Sequence, residues 1–412
     1  MTHHDGRKWA IVGALFATLF LIWGPVNASS VFFIPVVNHF GWSRGFFSLL
    51  VASAPLAAGL SSPVVGRLLD RVSAHKTMIV GASMVALSYL GLSRATTAVE
   101  FLLIFIVLGV GISASTIIPT ALVITRRFRE NRGLALGIAF SGIPLGGSGI
   151  SLFANYIVLH HGFRAGYLAM ALPIILIVLP LVTLLVRTRP VPAGETTQNA
   201  ATKSSPLPGL ELREAFRTRS FWMVALADLL FAAAAAGIRV HLVPYLTDLG
   251  YSPTLAAEAF AAMFMFSAIG SFAVGSFADR FGGRAMLVAA FAVSAAGIAI
   301  LVGAAHFVSL AAFVVVFGLT RETTPVLVPL TIGESLGVRG LGSILGIVAL
   351  CTTIGFAAGP AIAGRIFDVT GSYSGALGLF ATLASIAALA IRASLPLAEE
   401  SLRIAVERPA VA

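Results

Sequence analysis

Five ionisable residues lie deep inside long apolar runs of this 412-residue chain, where a charge is costly. Asp228, Arg239 and His241 share one run, and Arg321 and Glu322 share another. A guanidinium offers a fork of donors that matches a carboxylate, and it stays charged at every relevant pH. Glu322 or Asp228 could carry a proton, and His241 could titrate near neutrality. The pattern favours an anion-binding site that uses Arg239 and Arg321.

The same residues also allow a structural interpretation, in which Arg239 pairs with Glu322 and joins the two runs. Arg321 and Glu322 are consecutive, so on a helix their side chains would point about 100° apart and would not both face one cavity. His241 stays among the substrate-binding candidates, although a structural hydrogen bond near the outer surface is the favoured interpretation of it.

Uncharged candidates for shaping a pocket are Trp23 and Asn27 in the first run and Thr116 in the fourth. Weaker ones are Thr120, Met263 and Phe264, and for all six ordinary helix packing is the commoner explanation. The sequence contains no metal-ligand spacing, no nucleophile cluster and no ATP-binding loop. It therefore predicts no metal, no cofactor and no enzyme.

The composition determines which elements must position these residues. Hydrophobic residues make up 58% of the chain and charged residues 11%, against about 25% charged in a soluble domain. This chain must therefore use the lipid bilayer as its solvent. The net charge of +10 does not indicate a nucleic-acid partner, because the basic residues sit in short gaps between apolar runs.

Twelve runs are long enough to cross the hydrocarbon, and each must be helical because lipid cannot satisfy backbone polar groups. We number them as spans 1 to 12. Their predicted bounds are 9–37, 45–69, 76–94, 99–126, 133–159, 164–187, 219–248, 253–279, 284–304, 309–334, 340–367 and 374–395.

The chain repeats itself after half its length. Gly66-Arg-Leu-Leu-Asp70-Arg71 returns as Gly275-Ser-Phe-Ala-Asp279-Arg280, an offset of 209 residues (275 minus 66). The same offset relates four further pairs: Pro35 and Pro244, Gly41 and Gly250, Gly109 and Gly318, and Gly162 and Gly371. A constant offset over most of the chain predicts two halves of like topology, a known transporter architecture.

The basic residues set the predicted orientation. With a cytoplasmic amino terminus, 21 of the 27 Lys and Arg residues fall on the cytoplasmic side. Both termini and the Pro-rich segment 188–218 are then cytoplasmic. We predict an N-terminal six-helix bundle (1–187), a cytoplasmic linker (188–218) and a C-terminal six-helix bundle (219–412).

The turn Gly66 to Arg71, repeated as Gly275 to Arg280, resembles the signature of the major facilitator superfamily. Within it, Phe40-Gly41-Trp42-Ser43-Arg44 and the glycine-rich stretch 132–146 look like the monocarboxylate transporter and oxalate–formate antiporter branch. That branch carries a lysine where Asn27 stands and charges on span 8 where 266–270 has none. The resemblance implies an all-α membrane protein of twelve transmembrane helices, in two six-helix bundles related by a pseudo-two-fold axis. It also implies that Gly66, Asp70, Arg71, Gly275, Asp279 and Arg280 act in conformational gating.

We therefore predict a secondary transporter of the bacterial inner membrane that works by alternating access as a monomer. The favoured substrate is a small organic anion, a monocarboxylate in particular, moved by proton symport or anion exchange. An exporter of drug-like or other small metabolites is the alternative within transporters, and a transporter-like nutrient sensor is the alternative outside them.

Overall fold

The computed structural model describes residues 3–42, 44–128, 130–186, 209–302 and 306–396, and almost all of them are helical. Ten helices are long and apolar enough to cross a membrane, and a bent pair of helices makes an eleventh candidate. One of the ten, Arg132–Leu185, has 54 residues and contains two spans that meet at Gly162, where the backbone is not helical. The described residues therefore contain the twelve predicted spans.

The observed bounds follow the predicted ones, with breaks inside spans 1, 4 and 10. The spans are, in order, His3–Asn27 with Ser29–Phe40, Arg44–Arg71, Ala74–Arg94, Ala98–Ser115 with Ile117–Arg127, the two parts of Arg132–Leu185, Arg219–Asp248, Pro253–Phe281, Gly283–Val302, Phe307–Arg321 with Thr324–Ser335, Leu341–Thr370, and Ser374–Arg392. The second part of Arg132–Leu185 contains a π-helical turn, Ile174–Val178.

The duplicated glycines occupy positions that require glycine. Gly41 and Gly250 end the first span of each half with φ of +66° and +89°, and Gly162 and Gly371 have φ of +81° and +67°. A residue with a Cβ rarely adopts this left-handed backbone, whereas glycine does so without strain. The repeat thus places equivalent turns at equivalent points of the two halves.

Spans 4 and 10, which are equivalent by the 209-residue offset, are both interrupted. Span 4 breaks at Thr116 (φ −116°, ψ −101°), and span 10 bends by 44° between Arg321 and Thr324. In each case a proline, Pro119 or Pro325, lies in the first turn of the second piece. Proline is tolerated there but cannot continue the preceding helix, because it lacks the N–H.

The two halves contact each other through spans 2 and 11 and through spans 5 and 8. On the outside, large apolar side chains face away from the protein: Leu49, Leu152 and Val308 are 72%, 76% and 78% exposed. Such a surface suits lipid rather than water, where exposed apolar patches are limited in extent.

The end of the predicted linker is docked onto the helical body. Gly209 pairs with Gly337 in an isolated β-bridge, the short helix Leu212–Ala215 follows, and Arg339 pairs with Glu211 at 2.7 Å. This part of 188–218 packs against the turn between spans 10 and 11 and is not a free solvated chain. Residues 188–208 lie outside the described residues.

Candidate functional site

The break in span 10 brings Arg321 and Glu322 together. The first helix of the span ends at Arg321, and Glu322 has left the helical conformation (φ −103°, ψ 31°). Its carboxylate therefore turns back, and Oε1 lies 2.8 Å from Nη2 of Arg321. The expected divergence of the two side chains is not observed, because the helix ends between these residues. Glu322 pairs with Arg321 rather than with Arg239, the partner in the alternative structural interpretation.

Arg321 is a buried cation that keeps an unused donor. Its side chain is 4% exposed, and its guanidinium carbon lies 4.2 Å from the centre of the Phe264 ring on span 8. Nη1 has no hydrogen-bond partner among the described residues. The aromatic ring covers the face of the guanidinium, so the N–H donors of Nη1 at its edge remain available to an acceptor.

Arg239 adds a second positive charge to the same region. Its guanidinium lies 5.7 Å from the ring centre of Phe356 on span 11, and its charge repels that of Arg321. The side chain is exposed, and no carboxylate in the described part of the chain forms an ion pair with it. The two arginines make this region favourable for an anion.

Asp228 and His241 lie elsewhere on span 7, and both contact span 11. Asp228 is 5% exposed, and its Oδ2 accepts a hydrogen bond from the Thr352 hydroxyl. His241 lies with Nδ1 3.2 Å from the Tyr373 hydroxyl and Nε2 3.1 Å from the Pro360 carbonyl oxygen. Both ring nitrogens of His241 thus have protein partners, which is the structural role favoured from the sequence.

The uncharged candidates of the first half fall into two kinds. Trp23 keeps a buried indole N–H without an acceptor among the described residues. Within the described part of the chain, Asn27 has one long contact, 3.5 Å from Nδ2 to the Ile143 carbonyl oxygen. Thr116 is buried, and its hydroxyl donates to the Ile112 carbonyl at 2.7 Å, where it satisfies an acceptor at the break in span 4. Trp23 is therefore the better binding candidate, and Thr116 has a structural role.

Two carboxylates join the two halves at one end of the molecule. Asp70 at the end of span 2 accepts from the backbone N–H of Gly342 at 3.1 Å and of Ser343 at 2.7 Å, in the first turn of span 11. Asp279 at the end of span 8 accepts from Gly133 at 2.6 Å and from Leu134 at 2.8 Å, in the first turn of span 5. We call Asp70, Asp279 and these two helix starts the gate, after the role that the resemblance implies for the two aspartates.

Each gate carboxylate sits where a helix N-terminus is positive and has unpaired N–H groups. Close backbone packing surrounds these bonds. A Cβ added to Gly66 would collide with the carbonyl of Gly342, and one added to Gly275 would collide with that of Gly133. The backbones of the two halves therefore approach closely at this end, and glycine is needed there for the helices to do so.

The arginines predicted for gating contribute differently. Arg71 and Arg280 are exposed, and Arg280 lies 5.3 Å from the ring centre of Phe281. The ion pair with Asp70 is made by Arg126 of span 4, at 3.3 Å. This pair connects the end of span 4 to the end of span 2.

The sequence did not reveal the backbone N–H groups that donate to Asp70 and Asp279. Gly342 and Ser343 stand 209 residues after Gly133 and Leu134, so the offset that revealed the repeat would have identified both helix starts. It also missed Glu334 at the end of span 10. Its carboxylate accepts from the N–H groups of Gly283 at 2.5 Å and Arg284 at 3.0 Å. No equivalent acid marks this site in the first half, where Thr125 stands.

This architecture, with two six-helix halves, interrupted central helices and a closing pair of turns, is that of a membrane transporter, and comparison with known proteins identifies the family. The family model of the Major Facilitator Superfamily matches residues 14–257 and 229–410. The chain belongs to this superfamily.

Known relatives and solved structures agree with that assignment. The chain is 24% identical to monocarboxylate transporter 13 of Bos taurus over 371 residues, which cover 90% of this chain and 85% of that protein. It is 26% identical over 364 residues to an uncharacterised MFS-type transporter, YcxA, of Bacillus subtilis, with 84% and 85% covered. The crystal structure of the MFS transporter FucP in the outward conformation superposes with a TM-score of 0.74 at 18% identity, covering 92% and 97% of the two chains.

Proposed function

We propose that this secondary transporter moves a small organic anion, a monocarboxylate in particular, across the membrane by alternating access. Relatives at 23–26% identity include several proteins named monocarboxylate transporters, which supports the substrate class. The observation that carries the proposal is Arg321, a buried guanidinium with one carboxylate partner and one unpaired nitrogen.

The energetics of Arg321 favour an anionic ligand. An arginine at bilayer depth costs at least about 2.5–3.5 kcal/mol on insertion scales, so its surroundings must offset that cost. Glu322 neutralises the charge through Nη2, and Phe264 stacks on the face. Nη1 remains, and a substrate carboxylate placed there would form a charge-assisted hydrogen bond.

Arg239 would contribute in a different way. Because its guanidinium is exposed and lies near Arg321, it would attract the anion and screen the substrate's charge rather than hold it rigidly. Two positive charges and one carboxylate leave the cluster with a net charge of +1, which one monocarboxylate neutralises. A neutral substrate would leave that charge uncompensated.

Alternating access needs one end closed while the other is open. The gate bonds of Asp70 and Asp279 supply the closure of one end. We propose that this end is cytoplasmic, since the topology predicted from the sequence assigns 21 of the 27 basic residues to its side, and that both termini share it in a bacterial inner membrane. Import therefore requires these bonds to break after the substrate binds, whether the driving partner is a proton or a second anion.

The test compares a carboxylic acid with its amide. Purified protein in liposomes is assayed for counterflow of labelled pyruvate, lactate and acetate, and for competition by lactate and lactamide. We expect at least one acid to be exchanged, and lactamide, which has the shape of lactate without its charge, to compete poorly. Equal competition by acid and amide, or exchange of none of the acids, would refute the anion assignment and favour the export of drug-like or other neutral metabolites.

A further inference from the structure

Asp228 differs from the other carboxylates described above in the groups that contact it. Asp70 and Asp279 each accept two backbone N–H bonds, as does Glu334, and Glu322 faces a guanidinium. Asp228 is 5% exposed and has one hydroxyl as its partner. No cation within the described ranges forms an ion pair with it. A buried carboxylate needs either a compensating charge or a proton.

The hydrogen bonds around Asp228 are compatible with both a protonated and an ionised carboxyl group. The Thr352 hydroxyl contacts Oδ2 of Asp228 and lies 2.9 Å from the Val348 carbonyl, yet a hydroxyl has a single hydrogen. If that hydrogen points to Val348, the Asp228 contact requires a protonated carboxyl that donates to Thr352. If Asp228 is ionised, the hydroxyl rotates and donates to it. A rotation of one hydroxyl therefore accommodates the gain or loss of a proton by Asp228 without moving a helix.

We propose that Asp228 and Thr352 form the proton-carrying pair of this protein, a statement that rests on the proposed transport function and gives it a proton symport mechanism. A proton from the aqueous phase binds to Oδ2 of Asp228 while one end is open. It is returned to the aqueous phase on the other side after the gate opens. No bond other than O–H forms or breaks.

Neighbouring groups leave Asp228 free to titrate. Spans 8, 10, 11 and 12 pack against span 7. From these, Cys351 of span 11 is the ionisable group that interacts with the Asp228 charge, and the groups that act on Asp228 are its apolar surroundings and Thr352. The remaining charged residues on these spans are of three kinds. Asp279, Glu334 and Arg392 lie at the gate or at helix ends, Arg321 and Glu322 form the internal ion pair, and Glu258, Arg280, Arg365 and Asp368 are exposed.

The position of the pair links it to the gate and to the arginines. Asp228 is nine residues into span 7 from the gate end, and Arg239 is eleven residues further on, about 16 Å along an α-helix. Thr352 faces Asp228, whereas the next residue, Thr353, packs against Gly59 of span 2 in the other half. Sliding of span 11 against span 2 as the gate opens would therefore disturb the hydroxyl that binds Asp228.

The first experiment detects the proton without a substrate. Infrared difference spectra between acidic and alkaline buffers should contain the carbonyl stretch of a protonated carboxylic acid. Asp228→Asn should remove this band. The control is Asp248→Asn, which changes an exposed acid at the other end of the same helix and should leave the band unchanged. Thr352→Val should shift the band, and Thr352→Ser should restore it. A spectrum unchanged by Asp228→Asn would overturn the proposal.

The second experiment tests coupling in liposomes with labelled pyruvate. One-to-one symport accumulates substrate up to about tenfold for each pH unit of gradient. Asp228→Asn presents an amide that donates to Thr352 as the protonated acid does, so it should keep counterflow and lose the accumulation. Accumulation that persists in this variant would overturn the proposal. If the infrared band behaves as expected but the wild-type protein exchanges no organic acid, the proton site stands and the proposed substrate class fails.

Discussion

Replacement of Arg321 by glutamine separates substrate binding from a purely structural ion pair. Glutamine keeps part of the length and polarity of the side chain but removes the charge. If Nη1 binds the substrate carboxylate, its loss should cost about 1.5–3 kcal/mol of binding free energy, the range for a hydrogen bond to a charged group. This corresponds to a dissociation constant that is roughly 10- to 150-fold larger.

The stability of the same variant is expected to fall only modestly. Glu322 would lose its partner, but its side chain is 27% exposed, so water can solvate part of the freed carboxylate. The stacking on Phe264 would also be lost, worth about 0.5–2 kcal/mol. The protein should therefore fold, and the defect should appear in binding rather than in expression.

The assay pairs melting temperature with binding of the acid that the wild-type protein exchanges. Arg365→Gln is the matched control, because Arg365 is an exposed arginine close to the end of span 11 and has no role in the proposed site. Arg239→Gln should weaken binding less than Arg321→Gln does, since its charge is exposed and screened.

Two results would refute this reasoning. If Arg321 is only a structural partner of Glu322, its single variant should be unstable, and the double variant Arg321→Gln, Glu322→Gln should recover stability, because no buried carboxylate is left unpaired. If Arg321→Gln and Arg239→Gln both bind the anion as the wild-type protein does, the site is wrong, and a neutral or amphipathic substrate becomes the better hypothesis.

Three further predictions concern the gate, a helix start and the topology. Asp70→Asn and Asp279→Asn should each destabilise the closed gate by about 1–3 kcal/mol, since each weakens charge-assisted hydrogen bonds to a helix start. Accessibility of cysteines introduced at the gate end should therefore rise. Unchanged accessibility and unchanged transport would mean that these turns act as topology signals only. Glu334→Gln should lower the free energy of unfolding by about 1–2 kcal/mol by weakening the bonds to the start of span 9, and an unaltered denaturation midpoint would argue against that contact. In intact cells of a variant without the native cysteine, a cysteine at Gln198, which lies outside the described residues, should resist an impermeant reagent while one at Ser372 reacts; the reverse labelling would invert the topology.

Much of the fold follows from the sequence because lipid imposes simple rules. Apolar runs of sufficient length must be helices, and the 209-residue offset requires two equivalent halves. The same offset relates the left-handed glycines in pairs: Gly41 corresponds to Gly250, and Gly162 corresponds to Gly371. Asp70 and Asp279 are recognisable for the same reason, as charges that recur at helix ends in both halves.

The tertiary structure decided which side chains meet. Glu322 pairs with Arg321 and not with Arg239, because the helix breaks between the two residues, and apolar periodicity does not locate such a break. Asp228 forms a hydrogen bond with Thr352, which is 124 residues away in the sequence, because spans 7 and 11 pack side by side in a particular register. The helix starts that receive Asp70 and Asp279 belong to the opposite half, so only docking of the halves makes them partners. Sequence identifies costly charges in lipid, whereas the partner that offsets each cost is fixed by how the helices break and pack.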